Sequence, residues 1–367
     1  MATRQIWLRF FDVDLRLQID SAEYLHRFLT LYDHFILPNR PDPPAPTQLN
    51  YTIVIQTATP YTILNGVRRR LPSKAWIVDY LYNDILQTTF AHVSSHLLFH
   101  AGVVSQNGRG IMIVADSFHG KTTLVMRLVR QGFLFLGDET AAIGLDDRLL
   151  QPCLRRLNVR AGTLQLAGYT MDSMSTEIGD RLIVDLPALQ PNCAGDAVSL
   201  DYLFVLEDSE RQVDSTRLMV VVDHLPQAIK EALEALSDVV AIQVTQLTDC
   251  VRLYIHTRQQ LATFNQLEAL CESADSLILD VQVEETHRPN FRTPVTLRKI
   301  SSSDAALALL QRFQGGYKSH LITKRFSGNA AQLYFETWQR IAHAHCYALQ
   351  VGDLETMVAT ICQAAEC

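Results

Sequence analysis

The alternation of apolar and polar residues predicts a small α+β unit at the start of the chain. Its predicted elements are strands at 6–11, 14–19 and 51–56 and a helix at 22–35. Ser21 is a suitable N-cap for that helix, whose apolar residues fall on one side. A proline-rich stretch at 38–46 indicates a stiff, exposed linker. No set of chemically reactive residues stands out here, so substrate recognition and a packing scaffold both remain open.

A second pattern, later in the chain, predicts two helices threaded through four strands. The predicted elements are strands at 218–222, 239–245, 251–257 and 277–283 and helices at 226–236 and 259–272. The order β-α-β-β-α-β is that of the ferredoxin-like split motif. Cys250 and Cys271 lack the ligand spacing of a metal cluster. We therefore expect a recognition or dimerisation module at 209–291, inserted into a core at 76–208 and 292–367, after an N-terminal unit at 1–75.

The strongest chemical pattern is a loop between an apolar run and an amphipathic helix. The run at 111–114 predicts a buried strand, and the turn after it ends in Gly-Lys-Thr before a helix at 122–130. Such a turn aims backbone N–H groups and a helix N-terminus at an anion. Lys121 would supply a positive charge to the β- and γ-phosphates, and Thr122 a hydroxyl to Mg²⁺. The predicted nucleotide-binding residues are Asp116, Ser117, Phe118, His119, Gly120, Lys121, Thr122 and Thr123.

Two acidic residues end the next apolar run. The interval between Lys121 and Asp138 has room for the helix, a Gln-Gly turn and one strand, so the acidic strand follows the loop helix directly. Asp138 and Glu139 are predicted to hold Mg²⁺ together with Thr122. Asp138 is also predicted to accept a proton from an attacking hydroxyl. An ordinary strand–turn–helix with a surface lysine is the alternative.

The short interval and the paired acids resemble the HPr kinase/phosphorylase family and its relative, phosphoenolpyruvate carboxykinase. The segment Leu-Phe-His-Ala-Gly-Val-Val around His100 is similar to the family's segment before the loop strand. The loop at 115–122 keeps the family's Asp, Ser, Gly, Lys and hydroxyl residue. An amphipathic helix, an apolar strand at 346–351 and Gly-Asp-Leu-Glu before the last helix are also similar. The resemblance extends over 96–208 and 292–365.

This resemblance implies an α/β fold with a P-loop core and an ATP-dependent phosphotransferase that uses Mg²⁺. The implied acceptor is a hydroxyl, on a serine of a protein or peptide or on a small molecule. It also implies that His100 lies beside the acid pair, where it tunes the base or stabilises the acceptor. A core histidine bonded to the backbone is the other interpretation of His100.

An arginine is also expected, because the charge that develops on a transferring phosphoryl group needs a cationic partner. The candidates are Arg155, Arg156 and Arg160. We favour Arg160 because it lies near a turn, although a salt bridge on a surface strand would explain any of the three.

Two departures from the family loop leave other functions open. Ala115 and Phe118 stand where the family has glycines, which allow positive φ and close backbone approach. Phe118 could stack on a base or ribose, or block the loop. The Gly- and Arg-rich signature loop has no counterpart, so the family's phosphorolytic reaction is not carried over. The alternatives are a nucleotide-binding module without transfer and an interaction protein that uses the inserted module.

Composition narrows the classes of protein to which the chain could belong. The net charge of −7 argues against a general nucleic-acid binder, and 48% hydrophobic residues fit a well-packed protein. Apolar runs are too short to span a bilayer, and no signal h-region is present, so we expect a cytoplasmic protein without a membrane partner. Seven cysteines without a C-x-x-C pair indicate free thiols. Homo-oligomerisation remains open.

Four further sequence patterns are weaker. His92 and His96 would share one face of a helix predicted at 76–99, a spacing that can bind metal, but no third ligand accompanies them. His343 and His345 would face one side of a strand. The segment after Phe313 could be a loop that closes over phosphate through Lys318, Lys324 or Arg325, although a plain connection between helices is favoured. The basic triplet at 68–70 is expected to be a solvated turn.

Overall fold

A computed structural model describes residues 4–73, 76–116, 118–170, 175–178, 181–208, 216–284, 289–316 and 319–366. Over these residues the chain has a mixed α/β architecture with five sheets, which confirms the predicted fold class at that level. Among the described residues, no helix combines the length and the apolar character needed to cross a membrane. The six described cysteines are free thiols, as the lack of cysteine pairing predicts.

The first sheet is built from the N-terminal strands in the order β3-β1-β2-β4-β5-β6. Its elements are β1 (Arg4–Phe10), β2 (Val13–Ile19), α1 (Ala22–Leu31), β3 (Ile36–Leu37), β4 (Thr47–Val54), β5 (Tyr61–Leu64) and β6 (Val67–Arg70). The inward-facing residues of β1 and β2 are fully buried and pack on Phe28 of α1. The proline-rich stretch is held against this sheet, because the Ala45 amide donates to the Asp14 carboxylate at 2.6 Å.

The middle of the chain supplies most of the candidate site. Its elements are α2 (Ile77–His92), β7 (His96–Phe99), β8 (Ala101–Gln106), β9 (Arg109–Val114), α3 (Lys121–Arg130), β10 (Leu134–Gly137), β11 (Ala141–Gly144), β12 (Leu150–Gln151), β13 (Leu157–Val159), α4 (Ala161–Leu166), β14 (Ser175–Ile178), β15 (Arg181–Val184), α5 (Leu186–Leu189) and β16 (Ser199–Glu207). After the exposed Arg109, β9 is buried throughout, as expected for a strand covered on both faces.

The predicted helix at 76–99 is wrong after His92. Helix α2 ends at His92, and the Ser94 amide and the hydroxyls of Ser94 and Ser95 then bond to the Asp12 carboxylate. These bonds hold the chain extended, so His96 begins strand β7. His92 and His96 therefore do not form the helical pair that would have been needed for a metal site.

The inserted segment has the predicted order of elements. Strands β17 (Thr216–Val222), β18 (Val239–Gln246), β19 (Val251–Thr257) and β20 (Ile278–Glu284) and helices α6 (Gln227–Glu234) and α7 (Gln260–Ser273) follow the order β-α-β-β-α-β. The strands form an antiparallel sheet in the order β18-β19-β17-β20. Pro226 caps α6 rather than occupying its first turn.

The C-terminal part completes the central sheet. Its elements are β21 (Leu297–Lys299), α8 (Ser302–Leu310), a π-helical turn (Leu321–Arg325), α9 (Ala330–Ile341), β22 (His345–Gln350) and α10 (Leu354–Ala364). The central sheet has the order β10-β8-β9-β16-β22-β21, with β9, β16 and β22 parallel. Helices α3 and α10 belong to the apolar core on one face of the sheet, and α8 and α9 to the core on the other.

Some C-terminal details differ from the sequence prediction. Ser301 caps α8, because its hydroxyl accepts from the Asp304 amide. His343 lies in the turn before β22, so it does not share a strand with His345. The His345 ring stacks on Tyr202 with centroids 5.4 Å apart, which gives this histidine a packing role.

Candidate functional site

Strand register brings the predicted site residues to one edge of the central sheet. Strand β8 starts opposite the end of β9, because Ala101 pairs with Val114. Strand β10 runs antiparallel to β8 and ends opposite Val103. His100, the loop after β9 and Asp138 therefore lie at the same edge, although the chain reaches it three separate times.

A left-handed turn separates the loop from helix α3. Gly120 has φ of 81° and ψ of 14° and is the N-cap of the helix. A side chain is disfavoured in this conformation, so glycine is the residue that allows Lys121 to begin the helix without strain. The first backbone N–H groups of α3 have no partners within the helix, which is the arrangement that binds anions.

Lys121 bonds to both acids. Its Nζ donates to Asp138 Oδ1 at 2.8 Å and to Glu139 Oε1 at 2.9 Å, and Thr122 Oγ1 donates to Asp138 Oδ2 at 2.7 Å. The side chains of Lys121 and Asp138 are 6% and 2% exposed. Burial alone would lower the pKa of Lys121, but the two carboxylates outweigh it and raise that pKa. The lysine is therefore charged, and its charge is shared between two anions.

Glu139 links this cluster to His100. His100 Nδ1 lies 3.3 Å from Glu139 Oε2. Burial lowers the pKa of His100, although the Glu139 charge acts in the opposite direction, so the imidazole is neutral near pH 7. Burial would raise the pKa of Glu139, but Lys121 and His100 lower it. Glu139 has φ of 68°, and Gln314 Nε2 donates to its carbonyl at 2.8 Å, which holds this unusual backbone conformation.

The three candidate arginines have different surroundings. Arg155 is beside the acid pair: its Nη1 donates to Thr140 Oγ1 at 3.3 Å, and its charge contributes to the lowered pKa of Glu139. Arg160, the favoured candidate, places its guanidinium 4.8 Å from the centroid of the Phe118 ring. Arg156 forms ion pairs with Asp33 and Asp185, away from the acids. The geometry thus favours Arg155 over Arg160 as the arginine nearer to the acid pair.

The remaining loop residues are placed as follows. Asp116 forms an ion pair with Arg312, and Phe118 has φ of 65°. His119 is buried, and Thr123 lies half-buried in the first turn of α3. Ser117 lies outside the described residues.

The segment after Phe313 reaches the site through residues other than the predicted ones. Lys318 lies outside the described residues, and Arg325 bonds to Asp146 at 2.8 Å. Gln314 contacts the acid pair instead, and Arg312, the residue before Phe313, contacts the loop. Sequence reasoning missed Arg312, because a contact between residues 196 positions apart has no periodic signal.

The oxygen atoms of the cluster suit a hard cation. Thr122 and Asp138 present a hydroxyl and a carboxylate to the same volume, and Glu139 lies next to them. Mg²⁺ prefers such oxygen ligands and keeps the rest of its shell for water and phosphate. The predicted metal ligands are therefore adjacent, as a magnesium–phosphate site requires.

Comparisons with known proteins are weak in sequence and in structure. No family model matches the chain, and no curated protein matches it. Among solved structures, the chain is similar to the HPr(Ser) kinase/phosphatase from Coxiella burnetii, with 12% sequence identity and a TM-score of 0.23, over 48% of this chain and 95% of that chain. A TM-score this low does not establish a shared fold, so the account of the site depends on its own geometry.

Proposed function

We propose that the loop at 115–122 binds Mg²⁺-ATP and that the chain transfers the γ-phosphate to a hydroxyl. One observation supports this proposal above all: Lys121, directly after the Gly120 turn, bonds to both Asp138 and Glu139, and Thr122 bonds to Asp138. A cation, a hydroxyl and two carboxylates thus meet at the start of a helix. Phosphoryl transfer requires these groups, because catalysis there is mostly positioning and charge neutralisation.

Each residue has a role in the proposed reaction. Lys121 would turn from the carboxylates toward the β- and γ-phosphates of a bound ATP, and Thr122 and Asp138 would hold Mg²⁺. Mg²⁺ neutralises charge on the phosphate oxygens when bound. The oxygen of the acceptor hydroxyl attacks the γ-phosphorus, and the bond between that phosphorus and the leaving ADP breaks. Asp138 accepts the proton that the hydroxyl loses. The positive charge of Arg155 stabilises the Glu139 carboxylate, and neutral His100 holds that carboxylate in its orientation.

Titration calorimetry with Mg²⁺-ATP tests the site. K121M is expected to weaken binding by roughly 10- to 100-fold, since it removes a charge-assisted phosphate contact. K230M is the matched control, because Lys230 pairs with Glu234 on helix α6 and has no predicted role in the site. Equal affinity of wild type and K121M would refute the site.

Release or transfer of the γ-phosphate tests the reaction. D138N is expected to lose about 10²- to 10⁴-fold in rate at saturating Mg²⁺-ATP, the usual contribution of a general base. It is also expected to bind Mg²⁺-ATP more weakly, because Asp138 is a proposed Mg²⁺ ligand. Candidate acceptors are serine peptides and small alcohols, with water as the default.

A nucleotide-binding module without transfer is the second candidate, and the loop itself favours it. Ala115 replaces a glycine, and Phe118 adopts φ of 65° beneath the Arg160 guanidinium. A non-glycine residue with positive φ is strained. The Phe118 ring also takes up space in the loop that the family's glycine would leave open. Mg²⁺-ATP binding without any γ-phosphate release in wild type would support this candidate over the kinase.

A further inference from the structure

Asp116 introduces a negative charge into the loop that is proposed to hold a polyphosphate. It is the second residue of that loop, and its side chain is 29% exposed. A carboxylate this close to bound phosphate would repel it, and the repulsion is only partly screened at a half-buried position. The loop therefore needs a way to neutralise Asp116 before it can bind an anion well.

Arg312, which follows helix α8, provides the positive charge that neutralises Asp116. Its Nη2 donates to Asp116 Oδ1, and its Nε donates to the Ala115 carbonyl at 3.2 Å. A third bond, from Nη1 to the Ala308 carbonyl at 2.7 Å, fixes the guanidinium to the end of α8. The Arg312 side chain is only 11% exposed, so the ion pair lies largely out of water.

The same short segment is bonded to the other parts of the site. The His100 amide donates to the Arg312 carbonyl at 2.7 Å, and the Gln314 amide donates to the Leu98 carbonyl at 2.9 Å. The Gln314 side chain holds the Glu139 carbonyl. Residues 312–314 therefore connect the loop, the histidine strand and the acid pair.

We propose that Arg312 is a positioning residue that makes the loop competent for a nucleoside triphosphate by neutralising Asp116. The inference rests on the proposed function and adds to it a residue outside the loop that sets phosphate affinity. Arg312 acts through Asp116 and need not touch the phosphate itself. If it served only to hold the loop backbone through Ala115, the charge of Asp116 would be irrelevant to affinity.

A double-mutant cycle in the full chain separates charge from scaffolding, with Mg²⁺-ATP and Mg²⁺-tripolyphosphate as ligands. R312M is expected to lower both affinities about tenfold or more, because it removes the guanidinium charge that faces the Asp116 carboxylate. The R312M/D116N double variant is expected to return to within about threefold of wild type. A double variant as weak as R312M would overturn the proposal. High salt should reduce the R312M defect, since salt screens the exposed charge.

R312K covers the case in which R312M does not fold. Lysine keeps the charge but loses the fork that also reaches Ala115. R312K is expected to bind Mg²⁺-ATP close to wild type, and a loss of tenfold or more in folded R312K would overturn the proposal.

R325M is the matched control, because it removes an arginine–aspartate pair in which Arg325 contacts Asp146 instead of the loop. Thermal unfolding of each variant reports its folding. No binding to the wild type overturns both proposals; binding that K121M impairs and R312M leaves unchanged overturns this one alone.

Discussion

At the scale of single residues, Lys121 balances the negative charges of Asp138 and Glu139. Its ammonium lies within 2.9 Å of two carboxylates and is almost fully buried. Removing one member of a buried ion pair leaves the other without compensation, which costs more than the pair itself contributes. Lys121 is therefore expected to matter for folding as well as for binding.

K121M tests this dependence. The free energy of unfolding should fall by about 3–5 kcal/mol, because Asp138 is left buried without its cation. Urea denaturation at neutral pH measures the change. K121M/D138N should recover part of the loss, since the amide has no charge to compensate. Wild-type stability in K121M would mean that Asp138 has another sufficient partner.

His100 predicts a pH dependence of stability. Burial lowers its folded pKa below the ordinary value of 6.5, so the unfolded chain binds the proton more readily. The contribution of neutral His100 to the free energy of unfolding is complete above pH 6.5. It is lost as the pH falls from 6.5 toward the folded pKa. In H100Q, unfolding free energies at about pH 7 and pH 5 should differ less than in wild type. An unchanged difference would show that His100 does not titrate in this way.

The sequence predicts the parts of the site that are local. Lys121, Thr122 and the acid pair belong to one strand–helix–strand unit, whose spacing alone requires them to meet. Arg312 comes from the end of a distant helix, and only the packing of α8 brings it to the loop. Nearness to a turn favours Arg160 in the sequence, but the sequence does not show which side of that turn faces the acids, and Arg155 lies beside them in the structure.

At the scale of elements, close contact between helix α3 and strand β8 positions the cluster. Gly102 allows this contact: a Cβ added there would lie 2.5 Å from Val125 Cγ2 and 3.5 Å from Lys121 Cγ. The absence of a side chain therefore sets the distance between the helix that carries Lys121 and the strand that follows His100.

G102A should push the helix from the strand. Overpacking of this kind costs about 1–3 kcal/mol, and Mg²⁺-ATP affinity should fall because Lys121 moves with α3. Chemical denaturation and calorimetry measure the two effects. The control is G162A, where an added Cβ meets nothing within 4 Å. Wild-type affinity in a folded G102A would show that the helix position is not critical.

Element boundaries show where local pattern is insufficient. The apolar residues from 76 to 99 fit one long helix, yet bonds from Ser94 and Ser95 to Asp12 end it early. Asp12 belongs to the N-terminal hairpin, so the boundary depends on a tertiary contact. The order of elements over 216–284 agrees with the predicted β-α-β-β-α-β order, because each of these elements carries its own pattern.

At the scale of the whole molecule, Arg70 ties the first sheet to the inserted sheet. It pairs with Asp223, and its Nε lies 3.0 Å from Asp275 Oδ2. Asp223 is largely buried, and Arg70 contributes to its lowered pKa, against the effect of burial. The triplet at 68–70, expected to be a solvated turn, thus includes a residue that joins two parts of the chain.

R70A tests whether the contacts of Arg70 affect stability without affecting nucleotide binding. Loss of the charged hydrogen bonds should lower the free energy of unfolding by about 1.5–3 kcal/mol. Mg²⁺-ATP affinity should stay unchanged, because the contacts of Arg70 lie on the inserted sheet. The matched variant R68A removes a neighbouring arginine that stacks on Tyr61. A large loss of affinity in R70A would place the inserted segment in the nucleotide site.

A crystal structure with Mg²⁺ and a non-hydrolysable ATP analogue tests the central claim most directly. The account predicts a β- or γ-phosphate oxygen within about 3 Å of Lys121 Nζ, with the metal held by Thr122 and Asp138. A triphosphate bound elsewhere, with Lys121 still shared between Asp138 and Glu139, would contradict it.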